Sequence, residues 1–173
     1  MPHRIHIVGR KNHGKTTLVV ELVRELCSRG IRVGTFKHSR HIHELDTPGK
    51  DSHRHRQAGG NPAAILTHDS LGVFLRREPG MDCYQRLAPL FADCELVLVE
   101  GDLDGGGTNV EVWRASVGTP CLAAERNDIA ALVTDDRPDV ATPLWPRHDV
   151  ARLADLVLGL AARCGETGGV TES

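Results

Sequence analysis

The chain has 173 residues, enough for a substantial core, and its 40% hydrophobic and 25% charged content is that of an ordinary globular protein. A formal net charge of −2 and only 3% aromatic residues exclude a whole-protein electrostatic case for nucleic acid or membrane binding, and leave few platforms for stacked bases. The five cysteines are widely spaced, odd in number and form no C-x-x-C pair, which argues against a zinc knuckle or a disulfide framework and for a reducing compartment. The N-terminus enters a strand without a basic-then-apolar leader, and no apolar run approaches a membrane span, so the expected location is cytoplasmic.

Arg4 to Val8 reads as the first strand. A glycine-bounded loop follows, and then a helix from about Thr16 to Arg29 with Leu18, Leu22, Val23 and Leu26 on one face. Glu21–Arg24 and Glu25–Arg29 are spaced to pair on its wet side, and Gly30 is placed to end it. Ile31 to Lys37 is a second strand, so the chain opens β-loop-α-β, the signature of a parallel sheet with a right-handed crossover. A polar loop leads to a short helix over Lys50 to Ala58, closed by Gly59 and Gly60. Ala63 to Thr67 and Leu71 to Leu75 suggest a hairpin. Asp82 to Ala92 reads as a helix that Pro89 kinks or ends. Strands are expected at Glu95 to Val99, Asn109 to Trp113, Cys121 to Ala124 and Ile129 to Thr134. Asp149 can cap a last helix to about Ala162. The expectation is a single α/β domain over residues 1–164 with a disordered tail at 165–173.

Three constellations carry chemistry. Gly9, Gly14, Lys15 and Thr16 satisfy the P-loop pattern G-x-x-x-x-G-K-[ST] between an apolar strand and an amphipathic helix. Glycines let successive backbone N–H groups turn toward phosphate oxygens, and the helix start adds its positive dipole end. Arg10, Lys11, Asn12 and His13 fill the loop, and the His13 imidazole either touches phosphate or faces solvent. Lys15 reaches the β- and γ-phosphates, and the Thr16 hydroxyl ligates Mg²⁺. Second, Glu100 ends the apolar strand Leu96 to Val99, where P-loop proteins hold the magnesium shell. The bland alternative is an ordinary strand-end carboxylate.

The third constellation is Lys37 through Arg56, rich in basic residues and histidines. Lys50 and Arg54 stand four apart, a like-charge spacing that a bound phosphate would offset; Asp51 could equally supply the compensation. His38, His41, His43, His53 and His55 match no common zinc spacing and read as exposed loop residues.

These blocks resemble the molybdopterin-guanine dinucleotide biosynthesis adapter family, MobB, a family of P-loop GTP-binding proteins. The resemblance rests on GRKNHGKTTL at 9–18, TFKH at 35–38, DTPGKDSHRHRQAGG at 46–60, LVLVEG at 96–101, NVEVWR at 109–114 and ALVTDD at 131–136. It implies a P-loop NTPase fold, with a mixed or mainly parallel sheet flanked by helices, in a homodimer. It also implies GTP binding with Mg²⁺, weak hydrolysis, and assistance to the molybdenum cofactor guanylyltransferase, with molybdopterin as a possible bound ligand. By position, Gly9, Gly14, Lys15, Thr16 and Thr17 form the nucleotide loop. Glu100 is the second magnesium-side acid, with Lys15 and Glu100 carrying whatever hydrolysis occurs. Asp46, Lys50, Asp51 and Arg54 belong to a signature loop near the phosphates, Asp46 being counted with the metal-side residues.

Two features depart from pattern. Asp102 to Asn109 is acidic and glycine-rich where relatives often carry lysine. No N-K-x-D guanine reader is present, leaving Asp135 or Asp136, at the end of a strand, as candidates to accept from guanine. Competing readings are an ATP-using small-molecule kinase, which needs a second substrate pocket, and a metallochaperone, which needs the histidine loop.

Overall fold

Ile5, His6, Ile7 and Val8 are buried, because the strand they form sits in the middle of a sheet and is covered on both faces. In this computed structural model the described residues are 2–39 and 44–166, the last three as backbone only. The chain clusters into two units, one from residues up to 39 together with those from Ala88 onward, the other Arg40–Leu87.

The first unit is built on a six-stranded, wholly parallel sheet. Its strands are β1 (Arg4–Val8), β2 (Val33–Lys37), β5 (Leu96–Glu100), β6 (Thr108–Val112), β7 (Ile129–Val133) and β8 (Leu144–Trp145), in the order β2-β5-β1-β6-β7-β8. The crossover from β1 to β2 runs through α1 (Lys15–Ser28), and β5 lies between the two strands. The neighbours of β1 thus come from later in the chain on both sides. That makes the carboxyl end of β1 a topological switch point, where open parallel sheets form their binding crevice.

Helix α1 turns Leu18, Val19, Leu22 and Leu26 into the core, where they share a cluster with Leu153, Ala154 and Val157 of α4 (Val150–Glu166). Each fully buried leucine contributes about 1.5–3 kcal/mol. At the helix end Gly30 takes φ 82°, and the Gly30 and Ile31 amides donate to the Cys27 and Leu26 carbonyls, a Schellman closure. Arg29 pairs with Glu25 at 2.8 Å as expected, but Glu21 pairs with Arg147 at 2.6 Å rather than with Arg24. Asp149 caps α4 through the Arg152 amide at 2.9 Å. The helix runs on to Glu166, and residues 167–173 of the expected tail lie outside the described residues.

The stretch Cys121 to Ala124 is not a strand. Leu122–Ala124 is a 3₁₀ turn, because the buried Glu111 carboxylate accepts the Leu122 and Ala123 amides at 2.7 and 2.8 Å. A side-chain acceptor three strand positions along β6 takes the donors that a ladder would need, and nothing local in the sequence announces it. Strand β8 was not expected either; two residues are too few for a periodic signal.

The second unit holds α2 (Asp51–Gln57), the antiparallel hairpin β3 (Ala63–Leu66) and β4 (Leu71–Phe74), and α3 (Cys83–Leu87). After α3 the chain continues as a 3₁₀ segment, Ala88–Phe91, consistent with Pro89 ending the α-helix. No helix among the described residues is long and apolar enough to cross a membrane.

Candidate functional site: the loop after β1

Gly9 begins the loop at φ 140°, and any side chain there would stand 2.5 Å from the Val112 carbonyl oxygen of β6. The loop leaves the sheet by passing flush against a neighbouring strand, which only glycine permits. Asn12 takes φ 69°, a left-handed conformation that asparagine tolerates, and Lys11 and Asn12 are exposed. Gly14, at φ 94°, is the N-cap of α1. No side chain caps that helix and no acidic residue stands within its first turn, so its first amides are left to an outside acceptor.

Around this start the structure gathers Lys15, Thr16, Glu100 and Lys37. The Thr16 hydroxyl donates to Glu100 Oε1 at 2.7 Å, and Lys37 Nζ donates to the same oxygen at 3.0 Å. Lys37 and Glu100 are register partners on β2 and β5, so their meeting is fixed by strand pairing. Lys15 Nζ folds back to the Arg10 carbonyl at 2.7 Å. Partial burial lowers the Lys15 pKa, Glu100 pulls it up and Lys37 pushes it down. A hydroxyl and a carboxylate in contact, both hard oxygen donors, fit a Mg²⁺ ion that keeps most of its water.

The His13 side chain does neither thing expected of it. It is fully buried; the Arg114 amide donates to Nδ1 at 3.0 Å, and Nε2 bonds the Thr119 hydroxyl at 2.8 Å. An Nδ1 that accepts from a backbone amide is unprotonated, so the ring is neutral with its proton on Nε2. Its pKa is lowered, first by burial and then by Lys15, Arg114 and Arg10. His13 ties the loop to the segment after β6. Arg10 points away from the loop and grips Glu125 with one guanidinium nitrogen at 2.6 and 2.8 Å.

Asp135 and Asp136 follow β7, and both carboxylates are engaged. Asp135 accepts from the His148 amide and ring at 3.1 and 2.7 Å, and the ring contact leads the causes that lower its pKa. Asp136 accepts the Ala115 amide at 2.7 Å.

Asp46, Lys50 and Arg54 belong to the second unit. Asp46 accepts from the Thr47 amide at 2.8 Å and the Ser52 hydroxyl at 3.0 Å, organising the start of α2. Lys50 is the N-cap of α2, and Arg54 lies 3.7 Å from Asp51 with both side chains exposed. That contact favours compensation by Asp51 over an unpaired cationic face. His41 and His43 lie outside the described residues, while His38 lies 3.8 Å from Asp102 and His53 3.6 Å from Glu44. Among the described residues no three His, Cys, Asp or Glu side chains are placed to hold a metal.

Sequence reading passed over Lys37 as a partner of Glu100, and over Glu111, Thr119 and Arg114 altogether as site residues. A lysine closing the second strand of a β-loop-α-β unit was the available signal for Lys37; for the others the signal is tertiary.

The profile of the family described as molybdopterin guanine dinucleotide synthesis protein B, MobB, matches residues 4–135. A molybdopterin-guanine dinucleotide biosynthesis adapter protein of Haemophilus influenzae is 40% identical over 153 residues, covering 87% of this chain and 85% of its own. Its counterpart from Escherichia coli strain K12 is 35% identical over 154 residues, covering 84% and 85%. Among solved structures, a molybdopterin-guanine biosynthesis protein B superposes with a TM-score of 0.69 at 25% identity, covering 92% of this chain and 99% of that one. Bacillus subtilis MobB superposes with a TM-score of 0.68 at 24% identity, covering 92% and 97%, a likeness of fold.

Proposed function

Because this chain belongs to the MobB family, we propose that it acts as an adapter in molybdopterin-guanine dinucleotide synthesis and that the loop after β1 binds GTP with Mg²⁺. The observation that carries the nucleotide reading is the 2.7 Å contact of Thr16 with Glu100 at the uncapped start of α1. First-turn amides of α1 would take phosphate oxygens, and Lys15 would exchange the Arg10 carbonyl for a phosphate. Thr16 and Glu100 would hold Mg²⁺, which supplies charge neutralisation between phosphates. Lys37 would then balance the Glu100 carboxylate. Hydrolysis is slow in this reading. Of the loop's own cations besides Lys15, Arg10 is engaged by Glu125 and not turned toward the helix start.

The finer assignments rest on family likeness: a cytoplasmic protein working with the guanylyltransferase, molybdopterin contacted by Lys50 and Arg54, and guanine preferred through Asp135 or Asp136. A homodimer has support in the hairpin. A two-stranded sheet is marginal by itself, and here Ile65, Leu66, Leu71 and Val73 are exposed, surface a second copy would cover.

The test is calorimetric titration of Mg·GTP and Mg·ATP into the parent and Lys15→Ala. Loss of one charge-assisted phosphate contact should weaken binding by about 10- to 100-fold. Unchanged affinity in the variant would refute the phosphate site; equal affinity for the two nucleotides would refute guanine preference alone.

A further inference from the structure

Arg114 follows β6, the strand beside β1, and it is held from three directions. Its own amide donates to His13 Nδ1 at 3.0 Å, the preceding Trp113 amide donates to the Val133 carbonyl at 3.1 Å, and the following Ala115 amide donates to Asp136 at 2.7 Å. The Trp113 ring nitrogen adds a bond to the Thr119 carbonyl at 2.8 Å. From this mount the side chain lies against the bare Cα of Gly14. A methyl group on Gly14 would stand 2.5 Å from a terminal guanidinium nitrogen and 3.1 Å from the central carbon. Gly14 is the N-cap of α1 and immediately precedes Lys15.

The charges near the loop differ in how they are balanced. Arg10 has Glu125, and Lys37 has Glu100. Arg114 is exposed, and among the described residues no carboxylate forms an ion pair with it and its guanidinium makes no hydrogen bond. His13, which touches both segments, has its pKa lowered first by burial and then by the nearby charges of Lys15 and Arg114. A guanidinium carried on a fixed backbone, lying against the N-cap of α1 and without an ion-pair partner, is a group that a polyanion at that helix start would engage.

We propose that Arg114 is a second side-chain cation of the phosphate site, contacting the polyphosphate of the bound nucleotide alongside Lys15. This rests on the nucleotide reading above and extends it to a residue outside the P-loop motif. The bare Gly14 is then needed twice, for its left-handed backbone and to admit the guanidinium.

The experiment is calorimetric titration of Mg·GTP into the parent, Arg114→Ala and Arg114→Lys, at low and at physiological salt, with thermal melts alongside. Loss of a charge-assisted contact should raise Kd in Arg114→Ala by about 10- to 100-fold, and Arg114→Lys, keeping the charge but not the fork, should recover part of it. Added salt should weaken the parent more than Arg114→Ala, a difference that a purely structural arginine would not produce. Melting temperatures should stay close, since the side chain is exposed. Arg114→Ala binding Mg·GTP within about twofold of the parent would overturn the proposal while leaving the P-loop reading intact. A parent that binds no nucleotide would overturn both.

Discussion

In the sheet unit the central strands β1 and β5 hide their apolar side chains on both faces, whereas the hairpin of the other unit leaves Leu66 80% and Leu71 66% exposed. Two polar pairs show a similar contrast. His13 and Glu111 in the first unit are at most 1% exposed and each satisfies two partners, while Arg54 and Asp51 in the second meet at the surface. Substitutions in the sheet unit should therefore change stability, and substitutions on the hairpin should change association.

The largest stability effect is expected at His13. His13→Ala removes two buried hydrogen bonds and leaves a void between the loop and the segment after β6, and should cost about 2–4 kcal/mol in a denaturant or thermal melt. A melt like the parent's would mean that the ring does not tie the two segments together. On the hairpin, Leu66→Ser with Leu71→Ser should weaken self-association by roughly tenfold or more with little loss of monomer stability. Sedimentation over a concentration series reads the first quantity and melting the second. A parent that stays monomeric, or a double variant that associates as the parent does, would contradict the proposed pairing through the hairpin.

A pH series sharpens the comparison further. Burial, the largest cause, lowers the pKa of His3, His6 and His13 below the ordinary 6.5. A histidine held neutral when folded contributes stability that is complete above its unfolded pKa and is lost as pH falls below 6.5 toward the folded value. Glu111 acts with the opposite sign. Burial, the leading cause, raises its pKa against the backbone bonds that lower it, so stability falls as pH rises from the ordinary 4.5 through the folded value. Melts of Glu111→Gln between pH 5 and 8, a span of about three units, should isolate the histidine trend. A flat profile would contradict the lowered pKa values of these three rings. The smallest effect belongs to Arg54→Ala, expected within about 0.5 kcal/mol because the Asp51 pair is solvated.

Much of this was legible in the sequence because it is local. The P-loop spacing, the α1 stripe of Leu18, Leu22 and Leu26, the Gly30 closure and the Asp149 cap each need only neighbours along the chain. Glu100 was legible as the acid ending a buried strand, and the structure sets it against Thr16. What could not be read depends on partners far away in sequence. Glu111 turning Leu122–Ala124 into a 3₁₀ segment, Glu21 reaching Arg147, and His13 facing inward to Thr119 each require the sheet order first.

The central claim, that Thr16 and Glu100 hold the metal of a bound nucleotide, is tested most directly by measuring the Mg²⁺ dependence of GTP affinity in the parent and in Glu100→Gln. Mg²⁺ should tighten GTP binding to the parent by about tenfold or more, and most of that gain should vanish in the variant while metal-free binding stays near the parent's value. An undiminished Mg²⁺ gain in Glu100→Gln, or none in the parent, would contradict the account.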